Sequence, residues 1–241
     1  MPTMMEPHFK LHVAGENALM IYFSADKNST PGIQSSANVS KLVQQADLQL
    51  RDNLGQLLID TVPSYASLLV IFDAFAIDHY QIRQLLRKQL DTLKTGELGS
   101  KRVIELPVFY DLSTGPDLKL IAEKAQCSVQ DVIDLHCQHE YQVYAIGFAP
   151  GFAYLGEVDE RIAMPRIATP RELVHKGSVA IADRQTAVYP ADSPGGWNII
   201  GRCPIDMFDA ESTPHMPVNT GDTVKFVAID KPEFLALGGQ L

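Results

Sequence analysis

Between Ala145 and Trp197, glycine or proline recurs every few residues, interleaved with Phe148, Phe152, Tyr154, Tyr189 and Trp197. Such spacing is too broken for helices and too apolar for a disordered loop. Glycine supplies positive φ at no steric cost and proline fixes φ at about −65°, so the pattern suits short strands joined by tight turns. The stretch therefore predicts rigid β structure lined with aromatic rings, and the rest of the chain must frame it.

A chain of 241 residues can form one large domain or two modest ones, and either buries a sizeable core. Hydrophobic content of 46% and charged content of 20% are those of an ordinary globular protein. The net charge of −9, with no Lys/Arg cluster longer than two residues, argues against nucleic acid or an anionic membrane as partner. Cys127, Cys137 and Cys203 form no CxxC pair, which suits reduced thiols in a cytosolic protein. No basic segment followed by an apolar run opens the chain, so no signal peptide is read. Apolar runs such as Ala66–Phe72 fall far short of the roughly 20 residues that span a bilayer. A cytoplasmic protein is expected.

In the N-terminal third, His8–Val13 and Ala18–Phe23 read as strands around the turn Ala14–Asn17. A helical period over Ile33–Asn53 follows, then strands at Leu57–Val62 and Leu68–Phe72, and a helix over Asp78–Leu93 that Asp78 can cap. The order β-β-α-β-β-α describes a small α+β sandwich. His8, His12 and His79 are read as surface or strand-face residues. The linker Lys94–Arg102 sets the expected boundary between domains 1–98 and 99–241.

The second domain opens with a strand over Val103–Tyr110, in which Pro107 suggests an edge or a bulge. A helix is expected over Asp117–Cys127, and Ser128 with Asp131 forms a capping box for another that reaches about His139. His136 and His139 are three apart on that helix, but no second ligand pair follows, so a solvated helix end is expected and no metal. After Tyr141–Gly147 come several short strands with Gly/Pro turns, then the tight turn Asn219–Asp222 and a last strand Thr223–Ile229. Many short strands at even spacing argue for a closed or nearly closed β-barrel, plugged or capped by the two helices.

The strings G-F-A-P-G-F-A-Y-L (Gly147–Leu155), P-R-x3-P-R (Pro165–Arg171), G-S-V-A-I-A (Gly177–Ala182), Q-T-A-V-Y-P (Gln185–Pro190) and S-P-G-G-W (Ser193–Trp197) resemble the family of 5-oxoprolinase B subunits. It is also called the kinase A inhibitor-like or allophanate hydrolase subunit 1 family. G-R-C-P (Gly201–Pro204) and the run Pro217–Phe226 fit as well. The resemblance implies a small α+β domain followed by a cyclophilin-like β-barrel. It also implies two partners, the 5-oxoprolinase A and C subunits, of which C is itself cyclophilin-like. ATP (with Mg) would be used to open the lactam of 5-oxo-L-proline to L-glutamate. Two alternatives come with the family: inhibition of a histidine kinase, and a carboxyltransferase-type domain acting on urea or a similar small amide. His175-Lys176 stands where members usually carry Pro-Ala, and Ala153 where they carry Pro.

Lactam opening needs cations for phosphoryl charge, donors for an oxyanion, and an aromatic pocket that excludes water. The resemblance and the residue types together nominate His175, Lys176, Arg166 and Arg171 as catalytic cations. Phe148, Phe152, Tyr154 and Tyr189 would wall the pocket, with Pro150 in the same motif. Gly147, Gly151, Gly177, Gly195 and Gly196 would offer backbone N–H groups, Gln185 would fix a carboxylate or amide, and Ser193 would donate to one. The competing expectation is that Arg166 and Arg171 pair with Glu157, Asp159 or Glu172, and that Trp197 belongs to a core or interface. There is no P-loop and no defensible Ser-His-Asp or Cys-His set, and Cys203 is a weak nucleophile candidate. The isolated chain is expected to be inactive without its partners.

Overall fold

The structure, a computed structural model, describes residues 8–24, 37–93 and 102–241. The chain forms two compact units, Met1–Ser100 and Lys101–Leu241. All of the expected linker Lys94–Arg102 except Arg102 lies outside the described residues, as do the first residues of the helix expected from Ile33.

In the first unit, strands β1 (His8–Gly15) and β2 (Ala18–Ser24) precede helix α1 (Ala37–Leu54). Strands β3 (Leu58–Pro63) and β4 (Ser67–Phe72) precede helix α2 (His79–Asp91). The sheet is antiparallel with order β1-β2-β4-β3. Side chains alternate across a strand, so Leu19, Ile21 and Phe23 face one way together with Leu68, Val70 and Phe72. These six pack against Leu42, Val43 and Leu50 of α1 and Ile82, Leu86 and Leu90 of α2. Asp78 caps α2 as expected: its carboxylate accepts from the Gln81 N–H at 2.8 Å, and the Gln81 side chain accepts from the Asp78 N–H at 3.3 Å. The reciprocal box contributes about 1 kcal/mol.

The second unit runs through β5 (Val103–Phe109), α3 (Leu118–Ala125), α4 (Val129–Cys137), β6 (Glu140–Ile146) and β7 (Ala153–Gly156). It continues with β8 (Arg171–Val174), β9 (Ser178–Ala182), β10 (Gln185–Val188), β11 (Ser193–Gly195), β12 (Asn198–Arg202), β13 (Thr223–Ile229) and α5 (Lys231–Ala236). Seven strands close a barrel in the order β10-β7-β6-β13-β5-β12-β9, while β8 and β11 form a separate two-stranded ribbon. The α+β class and the barrel are therefore as the sequence and the resemblance implied. Pro107 is tolerated because β5, parallel to β13 along its length, meets β12 only at Phe109.

Strand β9 is buried from end to end because its two faces serve two cores. Val179 and Ile181 join the cluster that α3 and α4 cover, with Val143, Leu155 and Phe226. Ala180 and Ala182 join a second cluster with Phe152, Tyr189 and Trp197. The small alanines leave room for the rings.

Helix α4 carries the expected capping box, with Ser128 N–H to Asp131 at 2.8 Å and Asp131 N–H to Ser128 Oγ at 3.1 Å. Its C-terminal end corrects the expectation of a solvated histidine pair. His136 is fully buried, stacked on Phe226 at 4.5 Å, with Nδ1 2.7 Å from the Tyr110 hydroxyl and Nε2 2.9 Å from the Thr186 hydroxyl. The physical reason is periodicity: His136 lies four residues after Val132, on the same buried stripe. His139 is half-exposed, 3.5 Å from Asp159.

Candidate functional site

The structure places most of the nominated residues in two neighbourhoods of the barrel unit. One is aromatic. The other is a polar cavity.

The aromatic group centres on Phe152, which the turn after β6 delivers. Its ring lies 4.9 Å from Tyr154, 5.4 Å from Tyr189, 5.5 Å from Phe148 and 5.7 Å from Trp197. Three of these contacts are edge-to-face, the arrangement aromatic quadrupoles favour. Arg166 places its guanidinium 5.8 Å from the centre of the Trp197 ring, within cation–π range. Phe152, Tyr189 and Trp197 are buried, whereas Phe148 is 73% exposed with φ of +75°. A bulky residue at positive φ is strained, and the turn holds it there while the neighbouring Gly151, at φ +83°, packs against the Met207 carbonyl. Pro150 is exposed in the same turn.

Tyr189 is raised above the usual phenol range, chiefly by burial, with a hydrogen bond from the Trp197 backbone acting the other way. Its hydroxyl packs directly on Gly195, where an added Cβ would stand 2.4 Å from it. Gly195 thus serves close approach to Tyr189. Gly196 has its carbonyl engaged by the Ile167 N–H at 2.8 Å. Ser193 opens β11 opposite Val174, and Gln185 opens β10 opposite Ala182 and Gly156.

Two glycines do not offer the N–H groups expected of them. The Gly177 N–H donates to the Tyr189 carbonyl at 2.8 Å, and that of Gly147 to the Phe152 carbonyl at 3.0 Å. Gly177, at φ +79°, is needed because the chain passes against the Cys203 carbonyl.

Arg171 is tied elsewhere than expected. Its Nη2 donates to both carboxylate oxygens of Asp117, at 2.8 and 2.9 Å, and Nη1 reaches the Trp197 carbonyl at 3.3 Å. Two of the carboxylates expected as its partners are engaged by other cations: Glu157 pairs with Arg184 at 2.9 Å and Asp159 with Arg161 at 2.7 Å. Asp117, which precedes α3, makes no cap with its side chain and instead binds Arg171 and the Ile199 N–H at 2.6 Å.

His175 and Lys176 follow β8 into a cavity of about 490 Å³, with Ser113, Asp192, Arg202 and Asp206 among its walls and residues 238–241 along one side. Lys176 Nζ pairs with Asp206 at 2.8 Å, and its backbone N–H donates to Asp192 at 2.7 Å. His175 Nδ1 is 3.7 Å from Asp192. That backbone hydrogen bond, more than the histidine, holds the Asp192 carboxyl below its usual range. Asp192, Arg202 and Asp206 are not recognisable as site residues from sequence spacing; the only signal is that Arg202 sits inside the G-R-C-P string.

The thiol of Cys203 is pushed up to about 12 by burial, which removes it as a nucleophile near neutral pH. The order Thr186–His136–Tyr110 has the connectivity of a nucleophile, base and orienting group. Burial drops His136 to about 3, and Thr186 is fully buried, so the set is structural. No cluster able to hold a metal ion occurs among the described residues, and no described helix is long and apolar enough to cross a membrane.

The family model of the carboxyltransferase domain, subdomain C and D, matches residues 9–218. The B subunit of 5-oxoprolinase from Bacillus subtilis (strain 168) is 33% identical over 96% of this chain and 98% of its own length. Its namesake from Haemophilus influenzae is 39% identical over 66% of this chain and 74% of its own. The crystal structure of TTHA0988 superposes with a TM-score of 0.76 at 31% identity, over 89% of this chain but 40% of that longer one. With a family match across most of both units and a relative similar from end to end, the chain belongs to the family of 5-oxoprolinase B subunits.

Proposed function

We propose that this chain is the B subunit of an ATP-dependent 5-oxoprolinase which, with the A and C subunits, opens the lactam of 5-oxo-L-proline to L-glutamate. The observation that carries the reading is the near full-length similarity to the Bacillus subtilis 5-oxoprolinase B subunit, 33% identical over 96% of the chain. The aromatic group around Phe152 suits a surface that excludes water, with Phe148 exposed at its edge to meet a substrate ring or a partner.

The nominated cations Arg171 and Lys176 do not fit a nucleoside triphosphate. Arg171 is held by Asp117, Lys176 by Asp206, and Asp192 stands at the cavity beside them. A polyphosphate needs several uncommitted cations and, among the described residues, the cavity offers Arg202 alone, so ATP and its Mg are assigned to a partner subunit in this reading. With the Cys203 thiol inert and His136 sealed in the core, neither takes part in the chemistry in this reading.

The test is reconstitution. The purified chain is mixed with the A and C subunits, and glutamate release from 5-oxo-L-proline and ATP is followed. Turnover by the three together and none by this chain alone is expected; absence of turnover with all three folded overturns the reading.

A further inference from the structure

The one half-buried guanidinium that faces the cavity beside His175-Lys176 is that of Arg202. Its Nη1 donates to the Gln240 carbonyl at 2.9 Å, a neutral acceptor, and its Nε is shielded from solvent without a hydrogen-bond partner. Among the described residues it makes no ion pair, whereas Lys176 and Arg171 each hold a carboxylate. Burial draws the guanidinium's proton affinity down, and the nearby Asp192 carboxylate offsets this only through space. A planar guanidinium is built to hold a carboxylate or phosphate through two parallel hydrogen bonds, and a neutral carbonyl leaves that capacity unused.

The rest of the wall decides which oxyanion. Asp192 and Asp206 also line the cavity, and both side chains are 57% exposed. Two carboxylates disfavour a phosphate dianion, but they accept hydrogen bonds from an N–H on the ligand. The cavity, about 490 Å³, is of small-molecule size. We propose that this cavity binds a small carboxylate bearing an N–H group, with Arg202 holding the carboxylate and Asp192 or Asp206 accepting from the nitrogen. The choice of ligand rests on the proposed function, of which 5-oxo-L-proline and L-glutamate are the substrate and product, while the site itself is given by the cavity's charges.

Isothermal titration of the whole chain with 5-oxo-L-proline, L-glutamate, 2-pyrrolidinone and inorganic phosphate tests this. At least one of the two carboxylates binds, at least tenfold tighter than 2-pyrrolidinone, which has the same lactam ring without the carboxylate. Arg202→Gln lowers that affinity tenfold or more, and Arg202→Lys, a point charge without the fork, falls between. Because Arg202 ends β12, amide NMR shifts of the unmodified chain provide a second measurement: titration moves residues 202–206 and 238–241. The proposal is overturned if neither carboxylate binds, if 2-pyrrolidinone binds equally well, if phosphate binds tighter than both, or if the shifts lie elsewhere. Turnover by the reconstituted complex is measured separately. Turnover without binding here removes this site alone, while binding here without turnover removes the 5-oxoprolinase reading alone.

Discussion

Arg171 and Asp117, more than fifty residues apart in sequence, form an ion pair in which one guanidinium nitrogen meets both carboxylate oxygens at 2.8 and 2.9 Å. It joins the start of α3 to the β8–β11 ribbon, and the Ile199 N–H on the same carboxylate extends the tie to β12. Removing one partner of a fully buried pair costs roughly 3–5 kcal/mol. With the Arg171 side chain 30% exposed, Arg171→Ala is expected to lower stability by about 2 kcal/mol. Urea denaturation checks it, and an unchanged midpoint would return Arg171 to the ligand-binding candidates.

His136 predicts an acid-sensitive core. Burial holds it neutral down to about 3, whereas the unfolded histidine takes its proton at about 6.5. The folded state binds fewer protons across that window, so this contribution is complete above 6.5 and is lost as pH falls from 6.5 toward 3. Between pH 7.5 and pH 5 the loss is about 2 kcal/mol. His136→Gln is expected to be less stable at pH 7.5 but flatter over pH 5–6.5; an equally steep profile in the variant refutes the assignment.

The two adjacent glycines of S-P-G-G-W should behave differently. A Cβ on Gly195 would stand 2.4 Å from the Tyr189 hydroxyl, while one on Gly196 meets nothing closer than 3.7 Å. Gly195→Ala must displace a buried tyrosine and is expected to cost about 1–3 kcal/mol. Gly196→Ala should stay within about 0.5 kcal/mol of the parent chain. Thermal unfolding of the two variants side by side decides it, and equal effects would contradict the close packing of Tyr189 on Gly195.

Phe148 is exposed and strained, a combination that stability alone does not favour. Phe148→Gly relieves an unfavourable backbone by about 1 kcal/mol while losing one ring contact with Phe152, so the isolated chain should unfold near its original temperature. If the ring meets a substrate or a partner, the same variant raises KM or weakens assembly of the complex by tenfold or more. Unimpaired assembly and kinetics would make Phe148 a surface residue only.

Lys176 makes its ion pair with Asp206 at the surface, the side chains being 48% and 57% exposed. Such pairs contribute about 0–1 kcal/mol, so Lys176→Ala should leave folding nearly unchanged. A tenfold fall in turnover of the reconstituted complex would show that the Lys176 charge acts in the reaction. Unchanged kinetics would leave it as a partner of Asp206 alone.

What could be read before folding follows from local physics. The capping boxes at Asp78 and Ser128, the alternation in β2, the turn at Asn219–Asp222 and the strand-rich stretch after Ala145 involve residues within a few positions of one another. That the rings of this stretch would gather was legible too, because rings between glycines and prolines have few places to go. Arg171 was nominated by type, but its partner lies fifty-four residues away, and no spacing rule reaches that far.

The Ala145–Trp197 stretch determined by itself that the chain would make short strands, tight turns and an aromatic cluster. Tertiary structure decided the use of each group. It put His136 in the core and not in solvent, spent the N–H groups of Gly147 and Gly177 on the backbone, and separated the aromatic group from the His175-Lys176 cavity. It left Arg202 without a carboxylate. The reason is that closing the barrel gathers loops and strand ends that are far apart in sequence, so a cation's charge partner is set by which loop or helix start lies beside it.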